Sequence, residues 1–339
     1  MPVQHAQVKT LILTGKQVKK LLDMKDVLGA VENAFRHKGL GKVQMPPKVY
    51  LFYQKFDGDL RTMPSYVEDM DVSAVKIVNV HPQNRNVGLR TVMAVLVLVS
   101  PHTGQPLAFM DATHITDMRT GGASAIASKY LARPEPKILG IIGAGNQART
   151  QMLALITQFG RFDEVRLHDM YPEKSKQLAR EFRRHYKERI GKVKVAKDAK
   201  DCVVESDIVV TATSSRGPIV MDDWVRPGTH FNCIGADAPG KQEMDPKVLK
   251  RARLVIDDWE QASHSGEINV PLVKGELTKD DVNAEIGQIV AGLKPGRESA
   301  DQITVFCSTG LAIQDCLTAK IAYDAAIAQK IGRSMQIVL

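Results

Sequence analysis

The chain predicts an α/β protein in two parts, an α+β first region followed by a doubly wound parallel sheet. Three observations carry this reading. From Lys137 onward, short apolar runs alternate with helical stretches, the rhythm of parallel strands joined by crossover helices. A Gly-rich turn, Gly143-Ala144-Gly145-Asn146-Gln147-Ala148, follows the first of those strands directly. Ahead of them, residues 48–108 read as β-rich runs punctuated by Gly and Pro. With 339 residues, 44% hydrophobic and 25% charged, the chain is long enough for two domains with real cores. The same composition excludes a disordered, collagenous or coiled-coil chain.

In chain order, Val18, Leu21, Leu22, Val27, Leu28, Val31 and Phe35 recur at helical spacing and predict one helix over 17–40. Strands are expected at 49–53, 73–80 and 91–100, with turns at 57–59 (DGD) and 102–106 (HTGQP). A helix rich in small residues follows over 117–131 and stops at ARPEP, a Pro-bearing segment suited to a hinge or domain boundary. Beyond it the pattern predicts a strand at 138–142, a helix at 147–159 and a strand at 165–168. A helix then starts near Pro172, and further strands are expected at 207–212, 230–235, 254–256 and 304–307. A long helix over 311–331 closes the chain, positioned to return to the first region. No internal repeat or low-complexity segment is present.

The formal charge of +8 is unevenly placed. Residues 180–200 hold nine Lys and Arg against three Asp and Glu, a local +6, which leaves +2 for the other 318 residues. No aromatic stacking platform accompanies that segment, so it reads as a solvated surface rather than a nucleic-acid site. The longest aliphatic stretch, 92–99, falls far short of the roughly 20 residues needed to span a bilayer. The N-terminal MPVQHAQVKT lacks a signal-peptide pattern. Cys202, Cys233, Cys307 and Cys316 are widely spaced with no C-x-x-C pair, so neither a zinc site nor a disulfide framework is expected. The expectation is a cytoplasmic protein with reduced thiols and no metal.

The Gly-rich turn has the form G-x-G-x-x-A. Gly143 permits the tight turn, Gly145 lets a pyrophosphate approach the backbone, and Ala148 lets helix and strand pack closely. The helix start at Asn146 and Gln147 supplies free N–H groups and a favourable dipole. Asp169, 26 residues after Gly143, ends the next strand, where an acid accepts the adenosine ribose hydroxyls. An acid there repels a 2′-phosphate, which favours NAD over NADP, although Arg149 and Arg166 stand nearby as possible counterweights.

A hydride-transfer enzyme acting on amino or keto acids needs cations to clamp a carboxylate and a group to manage protons. Lys76 lies inside the apolar run SAVKIVNV, where a surface lysine is unexpected. Arg119 opens a helix of small residues, Lys48 follows Pro46-Pro47, and Arg61 precedes Met63-Pro64; Lys48 and Arg61 read equally well as solvated edge residues. Asp237 and Lys241, in GADAPGKQE, follow a strand's carboxyl end, where doubly wound sheets place their chemistry.

Together SAVKIVNV, DMRTGGASAIASKYLARP, GIIGAGNQART, GADAPGKQE and STGLAIQD make the chain resemble the ornithine cyclodeaminase/mu-crystallin family over its whole length, most of all the archaeal-type alanine dehydrogenases within it. The resemblance implies a substrate and dimerisation domain of residues 1–130 plus 311–339, interrupted by an NAD-binding Rossmann domain of residues 131–310, and a homodimer. It implies that Lys76 and Arg119 bind the substrate carboxylate with Lys48 and Arg61, and that Asp237 handles the substrate amine, with Lys76 also at the chemistry. It places Thr91, Arg119, Thr211, Ala212, Thr213, Asp237, Lys241 and Ser308 along the cofactor with the Gly-rich turn and Asp169.

One departure discriminates. Where cyclodeaminases of the family carry Glu ahead of the Met-Pro pair this chain has Arg61, and Lys48 stands where Arg is usual. An Arg there repels the second ammonium of a diamino acid and suits a small monoamino or keto acid. The implied activity is therefore NAD-dependent deamination of L-alanine. The alternatives are ornithine cyclisation with internally recycled NAD, reduction of a cyclic ketimine such as pyrroline-2-carboxylate, and a crystallin-like protein that binds a nicotinamide nucleotide without turnover.

Overall fold

A computed structural model describes residues 8–338. The N-terminal stretch read for a signal peptide lies mostly outside that range. In chain order the elements are β1 (Thr10–Leu13), α1 (Gly15–Leu21), α2 (Met24–Gly39), β2 (Val43–Gln44), β3 (Val49–Tyr53), β4 (Gly58–Val67), β5 (Val72–Val80), β6 (Val92–Val99), β7 (Pro106–Asp111) and α3 (Thr113–Leu131). There follow β8 (Ile138–Ile142), α4 (Asn146–Phe159), β9 (Phe162–His168), α5 (Pro172–His185), β10 (Ile190–Val195), α6 (Ala199–Val203), β11 (Ile208–Thr211), β12 (Arg216–Val220), β13 (His230–Cys233), β14 (Gln242–Met244) and α7 (Pro246–Arg251). The remainder is β15 (Arg253–Ile256), α8 (Trp259–Ser265), α9 (Asn269–Val273), β16 (Val282–Glu285), α10 (Ile286–Val290), β17 (Thr304–Cys307), α11 (Ala312–Gln329) and β18 (Arg333–Met335).

Of the described residues, 8–37, 41–119 and 311–338 form one compact unit, and 38–40 with 120–310 form another. The division falls within α3, between Arg119 and Thr120. The first unit is built on a mixed sheet in the order β18-β1-β7-β6-β5-β4-β2, with β3 also paired to β4. Its pairs are antiparallel except β1 with β7. Alternate residues face opposite ways: on β5, Val72, Ala74, Lys76 and Val78 are buried, while Val75 is 36% exposed.

Two sequence expectations need correcting in this unit. The single helix over 17–40 is two helices, because Leu22 is extended and Asp23 starts a new one, its carboxylate accepting the Lys25 N–H at 2.8 Å. The strand β4 was not anticipated, since Pro64 sits in its middle. The pairing shows why it is tolerated: β3 covers residues 58–62 of β4 and β2 covers 66–67, so Pro64 falls between them, where one side of the strand is open.

The second unit is an all-parallel sheet in the order β10-β9-β8-β11-β13-β17-β15-β16. From β8 the chain winds outward through β9 to β10, then returns to the other side of β8 at β11. The strand order therefore reverses between β8 and β11, and their carboxyl ends form the crevice in which doubly wound folds hold ligands. The core strands β8, β11, β13 and β17 are buried almost throughout, as a sheet covered on both faces requires, and mostly apolar, with Thr211, His230, Asn232 and Thr304 as buried polar exceptions. The basic 180–200 segment is more than a solvated face. It includes the edge strand β10, whose Ile190 and Val193 are buried, whose Lys192 is exposed and whose half-buried Lys194 pairs with Asp201. Charge on an edge strand discourages pairing with another chain.

Candidate functional sites, one in each unit

In the first unit, Lys76 is the only charged residue of β5 and is 1% exposed. Its Nζ donates to Asp315 Oδ2 at 2.6 Å and to Thr116 Oγ1 at 3.3 Å. Arg119, 6% exposed, donates from Nε to Asp315 Oδ1 at 3.0 Å and from Nη1 to Gln314 Oε1 at 3.2 Å. One buried carboxylate is thus shared by two buried cations brought from β5 and α3 by the start of α11. Burial pushes the Lys76 ammonium down to about 7; Asp315 opposes this, while Arg119 and Lys48 add to it.

Arg61 lies on the same sheet face, since its β4 register partner is Val78 and Met63 is paired with Lys76. It is 6% exposed, makes a two-point ion pair with Asp59 at 2.7 and 3.0 Å, and stacks its guanidinium over the Tyr50 ring. Four of the cations singled out in the sequence therefore share this unit, with Lys48 close enough to act electrostatically on Lys76. Thr91 is different: it sits exposed just before β6, its carbonyl accepting the His81 N–H at 2.8 Å. A cavity of about 600 Å³ in this unit is lined by Lys16, Lys19, Asn79, Arg90 and His114 rather than by Lys76, Arg119 or Arg61.

In the second unit, Gly143 has φ +101°, and a Cβ there would lie 2.5 Å from the Ala212 carbonyl oxygen. Only glycine lets the end of β8 pass that close to the residue following β11. Gly145, the residue before α4, is exposed, and a Cβ on it would meet nothing within 4 Å. With Asn146 exposed and Gln147 half-buried beside it, the helix start presents open backbone to a ligand, while Ala148 is fully buried. Asp169 accepts the Ala144 N–H at 2.8 Å and the Tyr171 N–H at 2.9 Å, which fixes a carboxylate beside the turn. Gly-rich turn, open helix start and acid together fit a dinucleotide, with its pyrophosphate at the helix and its ribose at Asp169.

The two arginines that complicated the cofactor choice are both paired with glutamates. Arg149 clasps Glu181 of α5 at 2.8–2.9 Å, and its Nη1 donates to the Gly145 carbonyl of the turn at 3.2 Å. Arg166 is buried, bonded to Glu164 at 2.7 Å and to the Asp201 and Val204 carbonyls.

The GADAPGKQE loop is tied down from behind. Glu243 accepts the Thr213 N–H and hydroxyl at 2.7 Å each, and the Gly235 N–H at 2.9 Å. It thereby joins the chain segments leaving β11 and β13. Asn269 receives the Gly240 N–H at 2.9 Å and donates to the Lys241 carbonyl at 2.9 Å. Within the loop, Lys241 and Asp237 form an ion pair. Glu267 accepts the Glu243 and Met244 N–H groups, and burial pushes both glutamates' carboxyls up, Glu267 further through the charge of Glu243. Thr211 is buried at the end of β11, with Ala212 and Thr213 following it. Ser308, after β17, is 4% exposed and donates its N–H to the Cys233 carbonyl at 3.0 Å. The next two amides, Thr309 and Gly310, bond Asp257 at 2.6 and 2.8 Å.

The sequence reading left Gln314, Asp315, Glu243 and Asn269 without roles although three of them lie in motifs it singled out. The signal for Asp315 was available: an acid in an apolar helix, opposite in sign to the one lysine in an apolar strand. All four cysteines are buried free thiols. Among the described residues no grouping of three or more His, Cys, Asp or Glu could hold a metal, and no helix is long and apolar enough to cross a membrane.

Comparison with known proteins agrees with this arrangement. Residues 8–330 match the model of the ornithine cyclodeaminase/mu-crystallin family. The alanine dehydrogenase of Archaeoglobus fulgidus is 48% identical over 331 residues, covering 97% of this chain and 99% of that protein. A solved structure described as an archaeal alanine dehydrogenase dimer with bound NAD superposes with a TM-score of 0.92 at 47% identity, covering 97% of this chain and all of that one. The Thermococcus litoralis Δ1-pyrroline-2-carboxylate reductase, solved with NADH and L-proline, gives 0.91 at 39% identity, covering 96% of this chain and all of that one.

Proposed function

The chain belongs to the ornithine cyclodeaminase/mu-crystallin family, and on that footing we propose that it is an NAD-dependent alanine dehydrogenase. It converts L-alanine, NAD⁺ and water reversibly to pyruvate, ammonium, NADH and a proton. The observation that carries this reading is the sharing of one carboxylate, Asp315, by two buried cations, Lys76 and Arg119. The surplus positive charge suits one more carboxylate, that of a small amino or keto acid. Arg61 lies on the same face, where cyclodeaminases of the family carry an acid, and its own acid, Asp59, is already held in a two-point pair with it rather than open to the second ammonium of ornithine.

In this reading the first unit serves the substrate and the second the cofactor. Gly143, Gly145, Asn146, Gln147 and Ala148 receive the pyrophosphate and Asp169 the adenosine ribose, with Thr211, Ala212, Thr213, Lys241, Ser308, Thr91 and Arg119 along the remainder. When bound, NAD would supply the hydride acceptor for the substrate Cα. Lys76 and Arg119, with Lys48 and Arg61, hold the carboxylate, and Asp237 accepts or returns protons at the nitrogen. The Asp237–Lys241 ion pair holds that carboxylate in place. NAD is favoured over NADP because Asp169 repels a 2′-phosphate while the charges of Arg149 and Arg166 are paired with Glu181 and Glu164. Pairing of two chains through the first unit and a cytoplasmic site, in keeping with the four free thiols, complete the assignment.

The second reading is reduction of Δ1-pyrroline-2-carboxylate to L-proline, favoured by the 39% identity to the Thermococcus litoralis reductase. It uses the same residues, since the imine also carries one carboxylate. A substrate panel separates them: NADH should form with L-alanine and NAD, and faster than with L-proline or L-ornithine. Turnover of ornithine without net NADH, or rapid NADH loss with the cyclic imine and none with pyruvate and ammonium, would overturn the assignment.

A further inference from the structure

We propose that Gln314 and Asp315, consecutive at the start of α11, complete the carboxylate site: Asp315 spaces and aims Lys76 and Arg119, and Gln314 offers its side-chain N–H to the substrate. This rests on reading Lys76 and Arg119 as the substrate-carboxylate ligands.

The geometry of Gln314 is the first support. Its side chain is fully buried, and its Oε1 takes two donors, the Leu311 N–H at 3.1 Å and Arg119 Nη1 at 3.2 Å. Two donors on one atom settle which end of the amide is oxygen. The other end, Nε2, is therefore a buried donor pair, and it has no protein partner. An unmade hydrogen bond of that kind costs free energy unless a ligand supplies the acceptor. Beside two cations that share one acid, the fitting acceptor is a carboxylate oxygen.

Asp315 supplies the second support. Its two oxygens separately engage Lys76 and Arg119, so the spacing of the cations is set by the width of one carboxylate. Two of the three Lys76 N–H groups are used on Asp315 and Thr116, which leaves the third for a ligand. The acid lies in the first turn of α11, where the helix favours negative charge. It also sustains the charge of Lys76. The groups acting on Lys76 are Asp315 from α11, Arg119 from α3 and Lys48 ahead of β3, and of these only Asp315 favours the ammonium against burial.

The sign follows. In the native enzyme the ammonium is lost as pH rises through about 7, and binding of an anion that needs it declines over the same range. Removing Asp315 moves that decline to lower pH.

The test is the binding of oxamate, a non-reacting pyruvate analogue, to the full-length enzyme with saturating NADH, alongside NADH binding itself. Gln314→Met should weaken oxamate about tenfold, the scale of one lost hydrogen bond to a charged group. Gln314→Glu should weaken it more, with NADH affinity unchanged in both. In Asp315→Asn the pH midpoint of oxamate binding should fall by at least about one unit, and Asp315→Glu should recover part of the shift.

Unchanged oxamate affinity in Gln314→Met, or an unmoved midpoint or tighter oxamate in Asp315→Asn, overturns the proposal. If Asp315→Asn does not fold, Asp315→Glu decides: native affinity and midpoint would overturn the role of Asp315, and weaker oxamate with native NADH binding would support it. Lys76→Met separates the underlying reading. Loss of oxamate there with no effect at Gln314 removes only this proposal, whereas no effect of Lys76→Met removes the carboxylate site itself.

Discussion

Single side chains decide both halves of the proposed chemistry, and the cofactor half is the more sharply posed. Asp169 touches the Gly-rich turn through Ala144 and leaves lone pairs for ribose hydroxyls, while no arginine near it is uncommitted among Arg149 and Arg166. Asp169→Asn keeps an acceptor for one of the two amides and removes the charge that opposes a 2′-phosphate. The ratio of kcat/KM for NADP to that for NAD should rise about tenfold, equivalent to ~1.4 kcal/mol; an unchanged ratio would remove Asp169 from cofactor choice. At this scale the sequence showed Lys76, Arg119 and the Gly-rich turn, because a lysine in an apolar strand and a glycine after one are conspicuous. It could not show that Arg149 and Arg166 are occupied, since Glu181 and the Val204 carbonyl reach them only through the packing of neighbouring elements. Asp315 showed itself as an acid in an apolar helix, but its partner did not: it lies 239 positions from Lys76, and the fold brings them together.

Elements place these side chains, and the loop between β13 and β14 shows how. It carries Asp237 and Lys241, and its position is set by two side chains outside it. Glu243 receives three N–H or O–H donors, and Asn269 clamps the loop's far end. A glutamine at 243 has one oxygen for donors that reach both carboxylate oxygens, so Glu243→Gln sets an NH₂ against an N–H. That substitution should cost about 1–3 kcal/mol, seen as a Tm lower by several degrees, with a reduced kcat; native Tm and kcat would show the loop is held otherwise. Strands and helices with strong periodicity were legible, notably β8, β17, α4 and α11. The exceptions have physical causes. Pro64 disguised β4 because the open side that tolerates it is a property of the sheet, not of the strand. The lysines of β10 disguised an edge strand, since outward charge and a solvated face look alike along a sequence. One helical period concealed two helices, because both bury the same face on either side of Asp23.

For the whole molecule, net charge was a poor guide and an uncovered sheet face is a better one. On the side of the first unit's sheet away from Lys76, Pro64, Val75, Val97 and Phe109 form one row across four strands. Ile77, Val95 and Met93 extend it, with Val75, Met93 and Phe109 still 36–39% exposed. A contiguous apolar face of that kind marks an interaction surface rather than an ordinary exterior. The occupant we propose is a second copy of the chain, matching the dimeric archaeal alanine dehydrogenase structure at 47% identity. A self-complementary interface repeats every contact about its two-fold axis, so one charge introduced on it is introduced twice. Val75→Asp together with Phe109→Asp should therefore convert a dimer to a monomer in analytical ultracentrifugation at micromolar protein. Reversing the charge of Lys187, Lys192 and Lys197 in the basic segment should leave the dimer intact. A wild-type monomer would overturn the dimer, and a dimer that survives both aspartates would move the interface elsewhere.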